Sequence, residues 1–254
     1  MVSLGLAKYK STTRQRTSEN PPEQHSTRSQ TCHGRPEPMM NEPIPAPRDS
    51  RTRKDVSIEI PPASSADDEA FVREVASIIN IEYRWGEAGV VVDGTQRSTL
   101  AEVAAQLRAR QLTVAFLTSP GGARTAVGCI HVKKISATHG TLGLLAVRSE
   151  HHGSGLARDL VRFGEDHCRR ALGLRAMQIE LLVPTAAESP HKVRLQAWYE
   201  KMGYVLVSMG DFGADYPHMV PLLLGPTDYR VFEKSLDGGE ARAPRAGDKQ
   251  AAKL

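Results

Sequence analysis

The chain of 254 residues is 40% hydrophobic and 24% charged, enough apolar material for one sizeable core, and its net charge of +4 is too small to mark a polyanion-binding protein. Its three cysteines, Cys32, Cys129 and Cys168, show no CxxC or metal-ligand spacing, which argues against a disulfide framework, fits a reducing compartment and leaves no metal expected. No apolar run approaches the roughly 18 residues of a membrane span, so a soluble protein without a membrane partner is expected.

Residues 1–54 hold ten Lys/Arg against five Asp/Glu, so the basic balance of the chain belongs mostly to this segment. Stretches such as "STTRQRTSENPPEQHSTRSQ" have almost no apolar periodicity, and a disordered basic tail is expected. The tail lacks interleaved aromatics, and nucleic acid is not an expected partner. Residues 237–254 read as a second flexible tail. It ends in Ala252-Lys253-Leu254, a conservative variant of the S-K-L peroxisomal address that would matter only in a eukaryotic source; a cytoplasmic location is otherwise expected.

Between the tails, 55–236 read as one domain. "VSIEI" (56–60) alternates as a half-buried strand, and "SADDEAFVREVASIINIEY" follows with an N-cap signal and Phe71, Val75, Ile78 and Ile79 at helical spacing. "STLAEVAAQLRAR" opens with Ser98 ahead of Glu102 and places Leu100, Val103 and Leu107 on one side of a second helix. Three strand-like runs at 112–119, 125–135 and 141–149 are separated by short turns and imply an antiparallel meander. A helix to about Leu172, the strand "RAMQIELLVP", the helix "HKVRLQAWYEKMG" with Gly203 as its C′ residue, and two last strands complete the order. The strand, helix, strand sequence around residue 155 implies a parallel crossover within an otherwise antiparallel sheet. The fold class is therefore α+β, a mixed, mostly antiparallel sheet flanked by helices.

The stretch "HHGSGLARDL" (151–160) joins a strand to a helix through Gly153, Ser154 and Gly155, and so presents bare backbone N–H groups at the positive end of a helix. It does not match the dinucleotide fingerprint, the Walker A loop or the serine nucleophile elbow.

His152, Gly155 and Ala157 stand at the defined places of the Gln/Arg-x-x-Gly-x-Gly/Ala loop, and "LQAWYEKMGY" is similar to A-x-x-x-Tyr-Glu-Lys-x-Gly-Phe/Tyr. On these two blocks, 141–160 and 191–204, the chain resembles the GNAT N-acyltransferases, and most of all a group of fungal GNAT-domain proteins. The resemblance implies acetyl-CoA as donor and direct attack by a primary amine of a small molecule on the thioester. It implies that Leu145, Ala146 and Val147 offer backbone to the pantetheine arm, with Gly143 as the expected bulge residue. His152, Gly153, Ser154, Gly155, Leu156 and Ala157 would hold the pyrophosphate, His152 through a ring N–H in place of the usual Arg or Gln.

Tyr199 matches the family tyrosine that protonates the departing thiolate, a fitting task for a phenol of pKa about 10. Glu180, Glu87 and Glu82 are the carboxylates available as general base. Residues 80–97 and the Pro-rich loop 212–226 are expected to wall the acceptor pocket, and Glu82, Glu87 and Asp93 suggest a cationic acceptor. The reading from another class is a GNAT module that binds acyl-CoA without turnover, as a sensor or interaction protein. Monomer and homodimer both remain open.

Overall fold

The computed structural model describes residues 55–237. The expected tails at 1–54 and beyond Asp237, the Ala252-Lys253-Leu254 signal and Cys32 lie outside the described residues.

Seven strands form one sheet in the order β1-β2-β3-β4-β5-β7-β6. β1 (Val56–Glu59), β2 (Leu112–Thr118), β3 (Arg124–Lys134) and β4 (His139–Val147) pair antiparallel in sequence, the meander that the short turns imply. β4 then pairs parallel with β5 (Ala176–Pro184) across the helix α3 (Leu156–Arg170), as expected for the crossover. β7 (Thr227–Ser235) inserts between β5 and the edge strand β6 (Val205–Met209), an order that strand propensity alone does not reveal. The mixed, mostly antiparallel sheet expected from the sequence is thereby present strand by strand.

The helices sort to the two faces of the sheet. α1 (Glu69–Gly86) and α2 (Leu100–Arg108) bury Val75, Ile79, Val103 and Leu107 against Val114, Phe116 and Ala126. α3 buries Leu156, Leu160, Val161 and Cys168 against Ile130, Leu142 and Met177 on the opposite face. At about 25 cal/mol per Å2 of apolar area removed from water, these two layers supply most of the driving force for folding. α4 (Pro190–Lys201) packs by Leu195, Trp198 and Tyr199, with Gly203 past its end at φ +94° as the sequence predicts. A single further turn, α5 (Phe212–Asp215), lies in the loop before β7.

Three local expectations are corrected. Ser98 does not cap α2: Thr99 does, with a reciprocal capping box to Glu102, because Ser98 is buried and clamped to α1. Leu100 is accordingly 40% exposed rather than part of the apolar face. Nor is Gly143 the bulge residue. Two residues, Leu144 and Leu145, oppose Ile130 of β3, and it is Leu144 that takes φ +46°. A leucine in that region costs on the order of 1 kcal/mol or more, and burial of its side chain (7% exposed) against the α1 face holds it there.

Inside α3, Glu165 is 9% exposed and accepts hydrogen bonds from Lys234 Nζ (2.8 and 2.9 Å) and Tyr204 Oη (3.0 Å), which ties the crossover helix to β7. On β3, burial first and then the cations Lys133 and Arg97 push His131 down to about 4. The native state therefore refuses a proton that the unfolded chain accepts from about pH 6.5 downward. Stability is full above that pH and falls as pH drops toward 4, by about 2–3 kcal/mol from this residue. Thermal denaturation of His131→Gln between pH 7 and pH 4 should show a shallower loss than the parent.

Candidate active site

The bulge sets the site. β4 and β5 pair at His139–Leu142 and no further, so the residues beyond Leu142 diverge while β5 stays paired with β7 through Pro184. The opening is a cleft of about 420 Å3. Leu142–Val147 form one wall and Glu180, Leu181 and Leu182 the other; Tyr199 and Lys192 of α4 and Glu82, Tyr83 and Glu87 of α1 and its C-terminus also face it.

At the head of α3 the turn runs through two left-handed glycines, Gly153 at φ +75° and Gly155 at φ +89°. Any other residue would be strained there. Ser154 folds back onto the carbonyl of His151 through its hydroxyl (2.7 Å), and the same hydroxyl accepts from the Leu156 amide (3.3 Å). The amides of Gly153, Gly155, Ala157 and Arg158 have no acceptor among the described residues. They converge on a smaller pocket of about 260 Å3 lined also by Arg158 and Trp198. Free N–H groups at a helix N-terminus, flanked by an arginine, suit a phosphate or pyrophosphate. The expected loop residues are thus brought together, with Arg158 as an addition that its place outside the motif concealed.

His152 behaves otherwise than expected. Its Nε2 donates to the carbonyl of Val147 (2.8 Å) and lies 3.1 Å from Glu82 Oε2. A carbonyl only accepts, so Nε2 carries the hydrogen and is directed back at β4 and α1, not at the anion pocket. The ring positions the loop, and the Val147 carbonyl is taken, which leaves Leu145 and Ala146 as the backbone next to the bulge.

Tyr199 faces the cleft and packs edge-on against Trp198 (4.9 Å) and Tyr204 (5.9 Å). Burial first, then the neighbouring Tyr83, raise its pKa, so the phenol is protonated at any working pH. Glu180 projects into the opposite side, where Tyr216 donates to its Oε2 (3.0 Å). The Tyr229 hydroxyl nearby is buried without a hydrogen-bond partner among the described residues, and burial first, then Glu180, keep it protonated. Burial and Glu180 likewise push Tyr216 up to about 12.

Glu87 faces two cations. It lies 3.9 Å from Arg97 Nε and faces Lys192, and its side chain is only 13% exposed. Arg97 is placed by Asn80, whose Oδ1 accepts from the amides of Arg97 (2.7 Å) and Ser98 (3.0 Å) while its Nδ2 donates to the Ser98 carbonyl (2.8 Å). The two expected walls of the acceptor side do meet: Val92 donates to Leu222 and Leu224 donates to Val90. Asp93 is exposed and stands outside the cleft. Arg97, Lys192, Tyr216 and Tyr229 went unread in the sequence. One signal was present for Lys192, a cation in the first turn of a helix, where the dipole disfavours it.

Residues 112–206 match the family model "Acetyltransferase (GNAT) domain", from β2 through the first two residues of β6. Over these residues the sequence is similar to the GNAT acetyltransferases. An aminoglycoside 6'-N-acetyltransferase solved with coenzyme A is 13% identical and shares the fold at a TM-score of 0.51 over 72% of this chain and 99% of its own. A putative acetyltransferase, yncA of Salmonella typhimurium, solved with acetyl-CoA, is 18% identical over 76% of this chain and 99% of its own, at a TM-score of 0.49. N-acetylglutamate synthase of Neisseria gonorrhoeae is 14% identical over 71% of this chain at a TM-score of 0.48, and this chain spans 35% of that enzyme's length. No curated protein matches the sequence.

Proposed function

We propose that this protein acetylates a primary amine of a small molecule by direct attack within a ternary complex with acetyl-CoA. The observation that carries the reading is the divergence of β4 from β5 beside the unpaired amides at the head of α3, with Tyr199 and Glu180 facing the same cleft. The anion loop takes the pyrophosphate, the arm lies along Leu145 and Ala146, and the thioester reaches the bulge.

There the amine gives up a proton to Glu180 and its lone pair attacks the thioester carbon, while a strand amide stabilises the developing oxyanion. Collapse breaks the C–S bond with the electron pair leaving on sulfur. The sulfur takes the Tyr199 proton, the surplus proton on nitrogen passes through water to the tyrosinate and restores it, and Glu180 releases its proton to solvent. Holding arm and amine in register contributes roughly 7–11 kcal/mol of the acceleration.

The test is mass-spectrometric detection of acetylated product across a panel of small amines, with Glu180→Gln alongside the parent. The substitution keeps the bond from Tyr216 but removes the base, and kcat should fall about 100-fold at pH 7. Acetyl-CoA binding without transfer to any amine would sink the enzyme reading in favour of an acyl-CoA-binding module.

A further inference from the structure

The acceptor end of the cleft carries more positive charge than its own residues balance. Arg97 and Lys192 both face it, and Glu87 is the one carboxylate set between them. Arg97 lies over the Tyr83 ring at 5.1 Å, and its Nε is buried without a hydrogen-bond acceptor among the described residues; the contact to Glu87 at 3.9 Å is too long for one. Lys192 is 5% exposed and lines the same cleft. A guanidinium carries five N–H donors and an ammonium three, and buried donors are almost always satisfied.

Of the acids that suggested a cationic acceptor, Glu82 is paired with His152 and Glu87 already faces Arg97 within the cleft. Tyr216 links the two ends: its hydroxyl bonds Glu180, and its ring lies within electrostatic reach of Arg97. A site for a positive group beside Glu180 and a site for a negative group beside Arg97 and Lys192 therefore share one small cleft.

We infer that the acceptor is an amino acid or a similar small amino-carboxylate, its carboxylate held by Arg97 and Lys192 and its amine presented at Glu180. The excess is one positive charge, which a carboxylate neutralises and a phosphate dianion overshoots. The inference rests on the acetyltransferase reading above and names its substrate class. Burial supports it further: desolvation depresses the Lys192 pKa, and a bound anion offsets that cost of holding the ammonium charged.

The experiment compares free L-amino acids with their α-amides and with aminoalkyl phosphates as acceptors for the full chain at saturating acetyl-CoA, with acetyl-CoA binding measured separately by calorimetry. At least one free amino acid should exceed its amide by at least tenfold in kcat/KM. Lys192→Met should erase that preference by raising KM for the acid, while acetyl-CoA affinity stays within twofold. Replacing a buried cation by an apolar chain of similar length is not expected to unfold the protein. Equal turnover of acids and amides, or a preference for the phosphates, overturns the inference and leaves the acetyltransferase reading standing. Failure to bind acetyl-CoA at all overturns both.

Discussion

Replacing Arg158 by glutamate weakens acetyl-CoA binding at least about tenfold and leaves the protein as stable as before or slightly more so. The two effects have opposite signs because the residue sits in the first turn of α3, where the helix end is positive. An acid there is favoured by the helix itself, by a few tenths of a kcal/mol, whereas the arginine is tolerated against the dipole. Its side chain is exposed and shares the pocket of Gly153 and Gly155. A reversed charge beside unpaired amides repels the anion they would receive, and a tenfold loss corresponds to about 1.4 kcal/mol. Calorimetric titration with acetyl-CoA, paired with a thermal melt, reads both quantities. Unchanged affinity would mean that the loop is a plain glycine turn and that the anion binds elsewhere.

The second large effect is on turnover. Tyr199→Phe should lower kcat about 100-fold, within the range for loss of a general acid, and leave acetyl-CoA affinity and melting temperature nearly unchanged. The ring keeps its contacts with Trp198 and Tyr204, and the hydroxyl has no hydrogen-bond partner among the described residues to lose. A raised pKa makes the phenol a reluctant donor at rest; the thiolate that forms as C–S breaks is the base that draws the proton. If the variant turns over within twofold of the parent, Tyr199 only packs on the sheet and the leaving group is protonated by solvent.

The parts of the site that could be read from sequence are those built by neighbours in the chain. Gly153, Ser154 and Gly155 carry their function in local backbone geometry, and Tyr199 stands in a contiguous helical motif. The acceptor end is different. Arg97, Lys192 and Tyr216 come from a loop, a helix start and an irregular segment, and only the folded sheet brings them together. The two cations that Glu87 faces were not legible either, because Lys192 lies more than a hundred positions away and Arg97 stands in a loop. The bulge shows the same limit from the other direction. Glycine is the local favourite for a left-handed bulge residue, so Gly143 was the natural expectation, yet the position went to Leu144, where core burial outweighs backbone preference.

The divergence of β4 from β5 also bears on how the molecule endures between reactions. Main-chain groups beyond Leu142 form a strand edge inside the sheet, without the charged residues or prolines that guard outer edges, since "GLLAV" (143–147) is wholly apolar. A pantetheine arm lying there serves as a surrogate strand as much as a substrate. A ligand at a hundred times its dissociation constant adds about 2.7 kcal/mol to the folding equilibrium. Bound coenzyme is therefore expected to raise the melting temperature, by covering an edge that the chain itself leaves open.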